Sequence, residues 1–305
     1  MKYKVIDDIL PRFDTNHSAH LQSLSKIIDE AIDFGTNLLK WETDKKLQGD
    51  SNLVHLLFFR NILSTADGIS ILIKNSSIET AKPLFRVLME NAFSLEYLLQ
   101  ENTKNRALSY LVWDAHKTIK FIEKLDFTTE SGKQLKSDFA KDKFAKDTVF
   151  TDDPRYLEQK RNAEELLKLP DYIPVEAEYQ RSHLKKKNPN WFTLFNGPED
   201  IEQLASRVNL NALYQIHYRA YSADVHATNV HKDKLFDNGD GTVDIIQIRY
   251  AKDSTAVAAD TLNFLLMTFI TFYKKRLPEK IDDFRNWYFE FRIEYRKITE
   301  ALKSS

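Results

Sequence analysis

The sequence of 305 residues contains no cysteine. Disulfides, thiolate metal ligands and cysteine nucleophiles are therefore excluded, and a chain without disulfides fits the cytoplasm. Glycine and proline are also scarce, with 7 and 8 residues. Because sheets and their hairpins need these two residues at turns, their scarcity favours long helices.

An excess of charge of either sign is also missing, since 44 basic residues face 45 acidic ones and the net charge is -1. Such a chain has no overall attraction to nucleic acids, so any contact with RNA needs a local basic patch. The first residues lack the apolar core of a signal peptide. The longest apolar segment, about Ala258–Tyr273, is interrupted by Asp260 and Asn263 and is too short to cross a bilayer. We therefore expect a cytoplasmic protein that does not contact a membrane.

Apolar residues that recur every three or four positions predict long helices. They cover about residues 16–40, 52–74, 77–100, 104–125, 210–228, 254–276 and 281–303. The second and third are apolar on most sides, which is typical of the central helices of a bundle. Pro83 lies in the first turns of the third helix and predicts either a later start or a kink.

The segment of residues 126–200 is polar and contains five of the eight prolines. It predicts short helices and loops that pack onto the bundle without a core of their own. Asn238-Gly-Asp-Gly separates the apolar runs Lys234–Asp237 and Thr242–Tyr250, which predicts a β-hairpin. The expected fold is therefore all-α. It is a single-domain multi-helix bundle of residues 1–305 with one small β-hairpin, core helices at about 16–125 and 210–303, and a polar insert at about 126–200.

Two of the most apolar helices carry charged residues, which are costly to bury unless they are paired. Arg86 and Glu90 are four residues apart on the third helix and share a face, and Arg60, Ser64 and Asp67 share a face on the second. Two interpretations are open. The residues either cross-pair in a salt-bridge network that fixes the helix register, or they form a polar pocket whose arginines hold a ligand phosphate or carboxylate.

A second group of polar residues lies on the fifth helix. Arg219, Ser222 and His226 are spaced three and four apart and line one stripe, bordered by Tyr218, while His217 falls on another face. Histidine can move a proton near neutral pH, and arginine can hold the charge that develops on a phosphate. The stripe therefore suits cleavage of a phosphodiester. The alternative is that these side chains form hydrogen bonds within the bundle.

An arginine followed by six residues and a histidine, late in a long helix, resembles the motif of HEPN-domain ribonucleases. The motif here is Arg219, residues 220–225 and His226. The resemblance implies a helical protein, commonly a homodimer, in which two motifs form one metal-independent RNA-cutting site, and it suggests a toxin or phage-defence effector. Arg219 and His226 would be catalytic and Ser222 would orient them, whereas Ala220 stands where these nucleases commonly have a polar residue.

The wider arrangement resembles an uncharacterised bacterial family of unknown function over about Leu53 to Tyr273. That family has Arg-x-x-x-Glu on an early apolar helix, here Arg86 and Glu90. It has Tyr-Arg-x-x-Ser-x-x-x-His on a late helix, here Tyr218 to His226, a segment that includes Tyr221 as a further supporting residue. The resemblance implies no established activity. It leaves open a non-catalytic helical protein that binds a partner or ligand.

Histidines give no complete metal site. His226 and His231 lie near Asp233 in the sequence, and His17 and His20 are three apart, but neither pair has carboxylates at a spacing that completes a known site. We therefore expect no metal and no other cofactor. Nucleotide-binding glycine motifs are also missing from the sequence, which disfavours nucleotide hydrolases and dinucleotide-binding enzymes.

One basic stretch could contact RNA. It contains Arg181, His183 and Lys185 to Lys187, and it is followed by Trp191 and Phe192. Cations beside exposed aromatic rings can hold phosphates and stack a base. The alternative is a loop whose charges serve only solvation.

Overall fold

The computed structural model of the chain describes residues 4, 6–11, 17–148, 153–225 and 234–303. Its α-helices are α1 Ser18–Asp44, α2 Val54–Lys74, α3 Ile78–Gln100, α4 Thr103–Leu125, α5 Glu130–Lys141, α6 Pro154–Leu166, α7 Ile173–Lys185, α8 Ile201–Arg207, α9 Asn211–Leu213, α10 Arg219–Val225, α11 Ser254–Arg276 and α12 Ile281–Lys303. A π turn, Tyr214–Tyr218, joins α9 to α10. Short 3-10 turns cover Asp50–Asn52, Trp191–Asn196 and Pro278–Lys280. The prediction of an all-α fold with one small hairpin is confirmed.

The helix bounds differ from the prediction mainly at two places. α1 continues to Asp44, beyond the predicted end near residue 40, because the carboxylate of Glu42 is buried and paired inside the protein. α3 begins at Ile78, so Pro83 lies inside the helix and does not mark a later start. The missing N–H of Pro83 costs one helical hydrogen bond, which the burial of most of α3 outweighs.

Two compact units make up the chain, Met1–Glu101 with Ile201–Ser305 as the first and Asn102–Asp200 as the second. In the first unit α2 packs against α1 and α3, and α11 packs against all three. Fully buried aromatic rings from α2, α3 and α11 fill its interior: Phe59, Phe85, Phe93, Phe269 and Phe272. Close helix packing depends on Gly35, since a Cβ at this position would lie 2.5 Å from Leu63 Cδ2.

The second unit contains α4 to α7, with α4 in contact with the other three helices and with the turn Trp191–Asn196. It has buried residues of its own, namely Leu108, Val112, Tyr172, Val175, Tyr179 and Leu194. Two of these residues come from α4 and four come from the polar segment, so this core is shared between α4 and the segment. The absence of an independent core in that segment stays a prediction. The sequence grouped α4 with the bundle helices, whereas α4 belongs to the second unit. The single-domain organisation stays a prediction.

The predicted hairpin forms with β1 Leu235–Asp237 and β2 Val243–Ile245. The strands pair antiparallel, with Leu235 opposite Ile245. Gly239 and Gly241 have φ angles of 77° and 88°, which side chains rarely adopt, so the turn needs these two glycines. The second strand ends at Ile245 and not at Tyr250 as predicted. Tyr250 makes a separate parallel bridge to Ser77.

Two segments are long and apolar enough to cross a membrane by length and composition, Asp50–Lys74 and Ser254–Arg276. The second corrects the sequence-based view that this region is too short. Of the 18 most apolar consecutive residues in each segment, 44% and 61% respectively are buried inside the protein. Core helices of soluble proteins pass the same test, so these segments are weak evidence for a membrane.

Candidate functional site

The π turn Tyr214–Tyr218 determines where the side chains after it point. A π turn is wider than an α-helical turn, and such turns are frequent at functional sites. Residues four apart share a direction here. Tyr218 and Ser222 contact α3, while His217 and Tyr221 contact α11. The π turn and α10 together therefore present polar groups to two different neighbours.

The guanidinium of Arg86 is the centre of the first group. Its Nε donates to Oε1 of Glu90 at 3.2 Å, Nη1 donates to Oγ of Ser222 at 3.2 Å, and Nη2 donates to the hydroxyl oxygen of Tyr218 at 2.6 Å. The Tyr218 hydroxyl in turn donates to Oε1 of Glu90 at 2.6 Å. The guanidinium also lies 4.6 Å from the centre of the Tyr218 ring. These four side chains therefore form one hydrogen-bonded network between α3 and the segment Tyr218 to Ser222.

This Arg86 network lies near the surface, since the side chains of Arg86 and Glu90 are 21% and 38% exposed. Burial raises the pKa of Tyr218, and the hydrogen bond to the Glu90 carboxylate raises it further. Tyr218 therefore stays protonated and acts as a donor to Glu90. Burial by itself would lower the pKa of Arg86, but the contacts with Tyr218 and Glu90 raise it. The network therefore pairs the Arg86 cation with the Glu90 carboxylate, and Tyr218 bonds to both.

Arg219 points away from this network. Its Nη2 lies 3.2 Å from Oε2 of Glu202 on α8, and its side chain is 58% exposed. Its guanidinium also lies 5.9 Å from the centre of the Tyr214 ring. Ser222, expected to orient Arg219, contacts Arg86, because three helical residues turn the two side chains about 60° apart. The structure therefore separates these two members of the predicted stripe.

Arg60, Ser64 and Asp67 lie on the exposed side of α2. Nη1 of Arg60 is 3.5 Å from Oδ1 of Asn61, a neighbour on the same helix. The predicted cross-pairing of Arg60 and Asp67 with Arg86 and Glu90 is therefore wrong. The physical reason is that the buried face of α2 is filled with Phe and Ile side chains, so its charged stripe faces solvent.

His217 belongs to a second group that the sequence did not reveal. Its Nδ1 lies 3.0 Å from Oδ2 of Asp260, and the hydroxyl of Tyr221 donates to the same oxygen at 2.9 Å. The edge of the Phe85 ring packs against both rings, with centroid distances of 6.4 and 5.0 Å. The hydrogen bond to Asp260 raises the pKa of His217. A carboxylate within the apolar run of α11 was the available signal, although nothing in the sequence named its partner.

His226, the second member of the proposed catalytic pair, lies outside the described residues, as do His231 and Asp233. Within the described part of the chain, no three His, Asp or Glu side chains come together as a metal site. Nε2 of His20 contacts the hydroxyl of Thr255 at 2.9 Å. Of the predicted catalytic residues, the structure therefore describes Arg219 and Ser222.

The basic stretch of the second unit differs from the expectation in one respect. Trp191 and Phe192 are each only 5% exposed, so their rings cannot stack on a base. They pack edge to face, with centroids 5.7 Å apart, inside the turn Trp191–Asn196. The sequence suggested an exposed position because it could not show that α4 covers this turn. Lys185, Lys186 and Lys187 are exposed as predicted.

The chain matches a known protein family over more than half of its length. No curated protein and no solved structure matches the chain with statistical significance. The family model of DUF5677, a family of unknown function, matches residues 52–243. The match begins beside the expected start at Leu53 but ends at 243, before the expected end at Tyr273, so α11 lies outside it. It includes Arg86, Glu90 and the whole helix from Asn211 to Val225. Because more than half of the chain is matched, this protein belongs to DUF5677, a family of unknown function.

Proposed function

We propose that this protein is a HEPN-like, metal-independent endoribonuclease or RNA-binding effector of the toxin or phage-defence type. The observation that supports the proposal is that Arg219 is exposed and only weakly paired. Its side chain is more than half exposed, and among the described residues its guanidinium contacts the surface carboxylate of Glu202 and the Tyr214 ring. An exposed ion pair contributes about 0–1 kcal/mol, so a phosphate can replace Glu202 at little cost. The planar guanidinium then binds two phosphate oxygens at once.

The proposed chemistry uses Arg219 and His226. The ribose 2′-oxygen loses its proton to the imidazole of His226 and forms a bond to phosphorus. The bond between phosphorus and the 5′-oxygen breaks, and that oxygen takes a proton from the charged imidazole. Arg219 stabilises the negative charge that builds up on the phosphoryl oxygens. The role of His226 is carried by the sequence motif alone.

Arg86, Glu90, Tyr218 and Ser222 have a supporting part in this proposal. Their network fixes the side of α10 that faces α3, and so it sets the direction in which Arg219 leaves the helix. A homodimer that brings two Arg–His motifs together, in the cytoplasm, belongs to the same proposal and follows from the HEPN resemblance. Arg60 and Asp67 have no part in it, because they face solvent on α2.

The experiment is incubation of total cellular RNA with the purified protein in excess EDTA. Wild type is compared with His226→Ala and with His20→Ala, a control histidine that is exposed on α1. We expect fragments with wild type and the control and intact RNA with His226→Ala. Intact RNA with all three proteins, each shown to be folded, contradicts the nuclease function. Equal fragmentation by all three proteins contradicts the role of His226.

The second candidate is a non-catalytic helical protein that binds a partner or ligand. One observation favours it: each nitrogen of the Arg86 guanidinium already donates to a protein group. A satisfied network of this kind stabilises helix packing and register without any chemistry. The two candidates differ in the RNA experiment, because a structural network gives no fragments with any variant.

A further inference from the structure

The second unit presents a group of lysines on two neighbouring elements. The helices α4 and α7 lie side by side, since the rings of His116 and Tyr179 stack at 4.0 Å and Nζ of Lys120 donates to Oδ1 of Asn188 at 2.6 Å. Where α7 ends, Lys186 leaves the helix in an extended conformation. This arrangement brings the lysine patch together, defined here as Lys120, Lys185, Lys186 and Lys187.

The acidic residues along α7 do not neutralise the patch. Both oxygens of Glu178 accept hydrogen bonds from Arg181 at 2.7 Å, and Ser182 and the N–H of Phe195 also bind this carboxylate. Glu176 accepts from His116 and Gln180, each at 2.7 Å. Because these carboxylates have their own partners, they are not available to the lysines.

Two members of the patch have no partner within the described part of the chain. Lys185 and Lys187 are exposed and make no hydrogen bond or ion pair there. Lys186 donates to the backbone carbonyl of Glu199 at 3.2 Å and keeps its positive charge. An ammonium group without a partner can bind a phosphate without breaking an existing ion pair, and it releases counterions from the nucleic acid when it does so.

We propose that the lysine patch binds the phosphate backbone of single-stranded RNA, which rests on the proposed action on RNA. The occupant is a phosphate polymer because the patch offers several positive charges, whereas the rings of Trp191, Phe192 and Tyr179 are buried and cannot stack on a base. Contacts of this kind position a strand and carry no base information. Binding is therefore independent of base sequence and strongly dependent on salt.

The test measures binding by fluorescence anisotropy of a short labelled single-stranded RNA in a His226→Ala background, so that cleavage cannot interfere. The patch variant combines Lys185→Ala and Lys187→Ala. It is compared with a control variant that combines Lys141→Ala and Lys168→Ala. The control pair is also exposed and unpaired in the described second unit and removes the same charge. Affinity is measured over a series of salt concentrations for two RNAs of different base composition.

Each phosphate contact on a single strand contributes about 0.7 to the slope of log affinity against log salt. We expect the patch variant to lower this slope by about 1.4, two contacts at that value, and the control pair to leave it unchanged. The same slope for both variants, or binding only to vesicles of anionic lipid and not to RNA, overturns the proposal. If the patch variant keeps the unchanged slope while the protein with His226 intact cleaves RNA, only the lysine patch is overturned. A slope change without cleavage overturns only the nuclease function.

Discussion

The hydroxyl oxygen of Tyr218 lies 2.6 Å from Nη2 of Arg86 and 2.6 Å from Oε1 of Glu90. One phenol therefore joins both members of the ion pair on α3, accepting from the cation and donating to the anion. Hydrogen bonds to charged groups are stronger than those between neutral groups. This contact connects two parts of the chain that are far apart in sequence and fixes the helix that carries Arg219.

Replacing Tyr218 with Phe tests that connection. The change leaves Arg86 and Glu90 each without one partner, so we expect the free energy of unfolding to fall by about 1–3 kcal/mol. Urea denaturation followed by circular dichroism measures the loss. Tyr288→Phe is the control, because the Tyr288 hydroxyl makes no hydrogen bond to a described residue. Equal losses in the two variants would show that the hydroxyl of Tyr218 contributes nothing specific.

The carboxylate of Glu42 is fully buried at the end of α1, where it meets three cationic or imidazole groups. Nη2 of Arg276 lies 2.6 Å and Nε2 of His55 3.1 Å from Oε1, and Nζ of Lys45 lies 3.1 Å from Oε2. Burial by itself would raise the pKa of Glu42. The hydrogen bonds from His55 and Arg276 outweigh burial and lower the pKa to about 2.

The low pKa of Glu42 predicts a loss of stability in acid. Because the folded value lies below the ordinary value of 4.5, the contribution of this group is present above pH 4.5 and disappears as the pH falls to about 2. The shift corresponds to about 3 kcal/mol. We expect Glu42→Gln to be less stable than wild type at neutral pH, and the difference to shrink between these limits. Unfolding at several pH values measures it.

The control for that series is Glu290→Gln, which removes an exposed carboxylate from α12. Its difference from wild type should be small and the same at every pH, because a change at an exposed surface position with no buried contact usually alters stability by less than about 0.5 kcal/mol. A pH-independent difference for Glu42→Gln as well would contradict the assigned role of the buried carboxylate.

Gly35 is predicted to be irreplaceable for steric reasons. A Cβ at this position would lie 2.5 Å from Leu63 Cδ2 and 2.9 Å from Phe269 Cζ, so α1 would have to move away from α2 and α11. Overpacking costs about 1–3 kcal/mol, which outweighs or cancels the roughly 1 kcal/mol by which alanine favours a helix. Gly35→Ala should therefore cost less stability in a Leu63→Ala background, where the clashing side chain is shortened, than in wild type. Additive effects in thermal unfolding would refute the predicted clash.

Asp260 is predicted to control the titration of His217. Its hydrogen bond to the imidazole favours the charged form, so Asp260→Asn should lower the pKa of His217. The chemical shift of the His217 ring proton, followed by NMR against pH, measures this. Asp33→Asn, an exposed change on α1, serves as the control. An unchanged His217 titration in Asp260→Asn would mean that the two side chains do not interact in solution.

Helices could be predicted closely from the sequence because apolar periodicity is a local property. The bounds of α11 and α12 agree with the prediction, and the Arg86–Glu90 pair follows from their spacing on one helix. The four-residue spacing of Tyr218 and Ser222 was visible as well. Their common partner on α3, Arg86, is a contact between helices that are distant in sequence.

Contacts between distant helices could not be predicted in the same way. The pairing of His217 with Asp260 depends on the π turn, which changes the direction of the side chains and leaves no clear mark in the sequence. The exposure of Arg60 and Asp67 depends on which side of α2 faces its neighbours. The burial of Trp191 depends on α4. Each of these outcomes is decided by packing.

The central claim is that Arg219 exchanges Glu202 for an RNA phosphate. The most direct measurement is the single-turnover rate of RNA cleavage in excess EDTA for Arg219→Ala and Arg207→Ala. Arg207 is matched, since its side chain is also 58% exposed and its Nη2 lies 3.2 Å from a glutamate, Glu101. The account predicts a fall of about 10²–10³-fold for Arg219→Ala and almost none for Arg207→Ala. Equal rates for the two variants, or no cleavage by wild type, would contradict it.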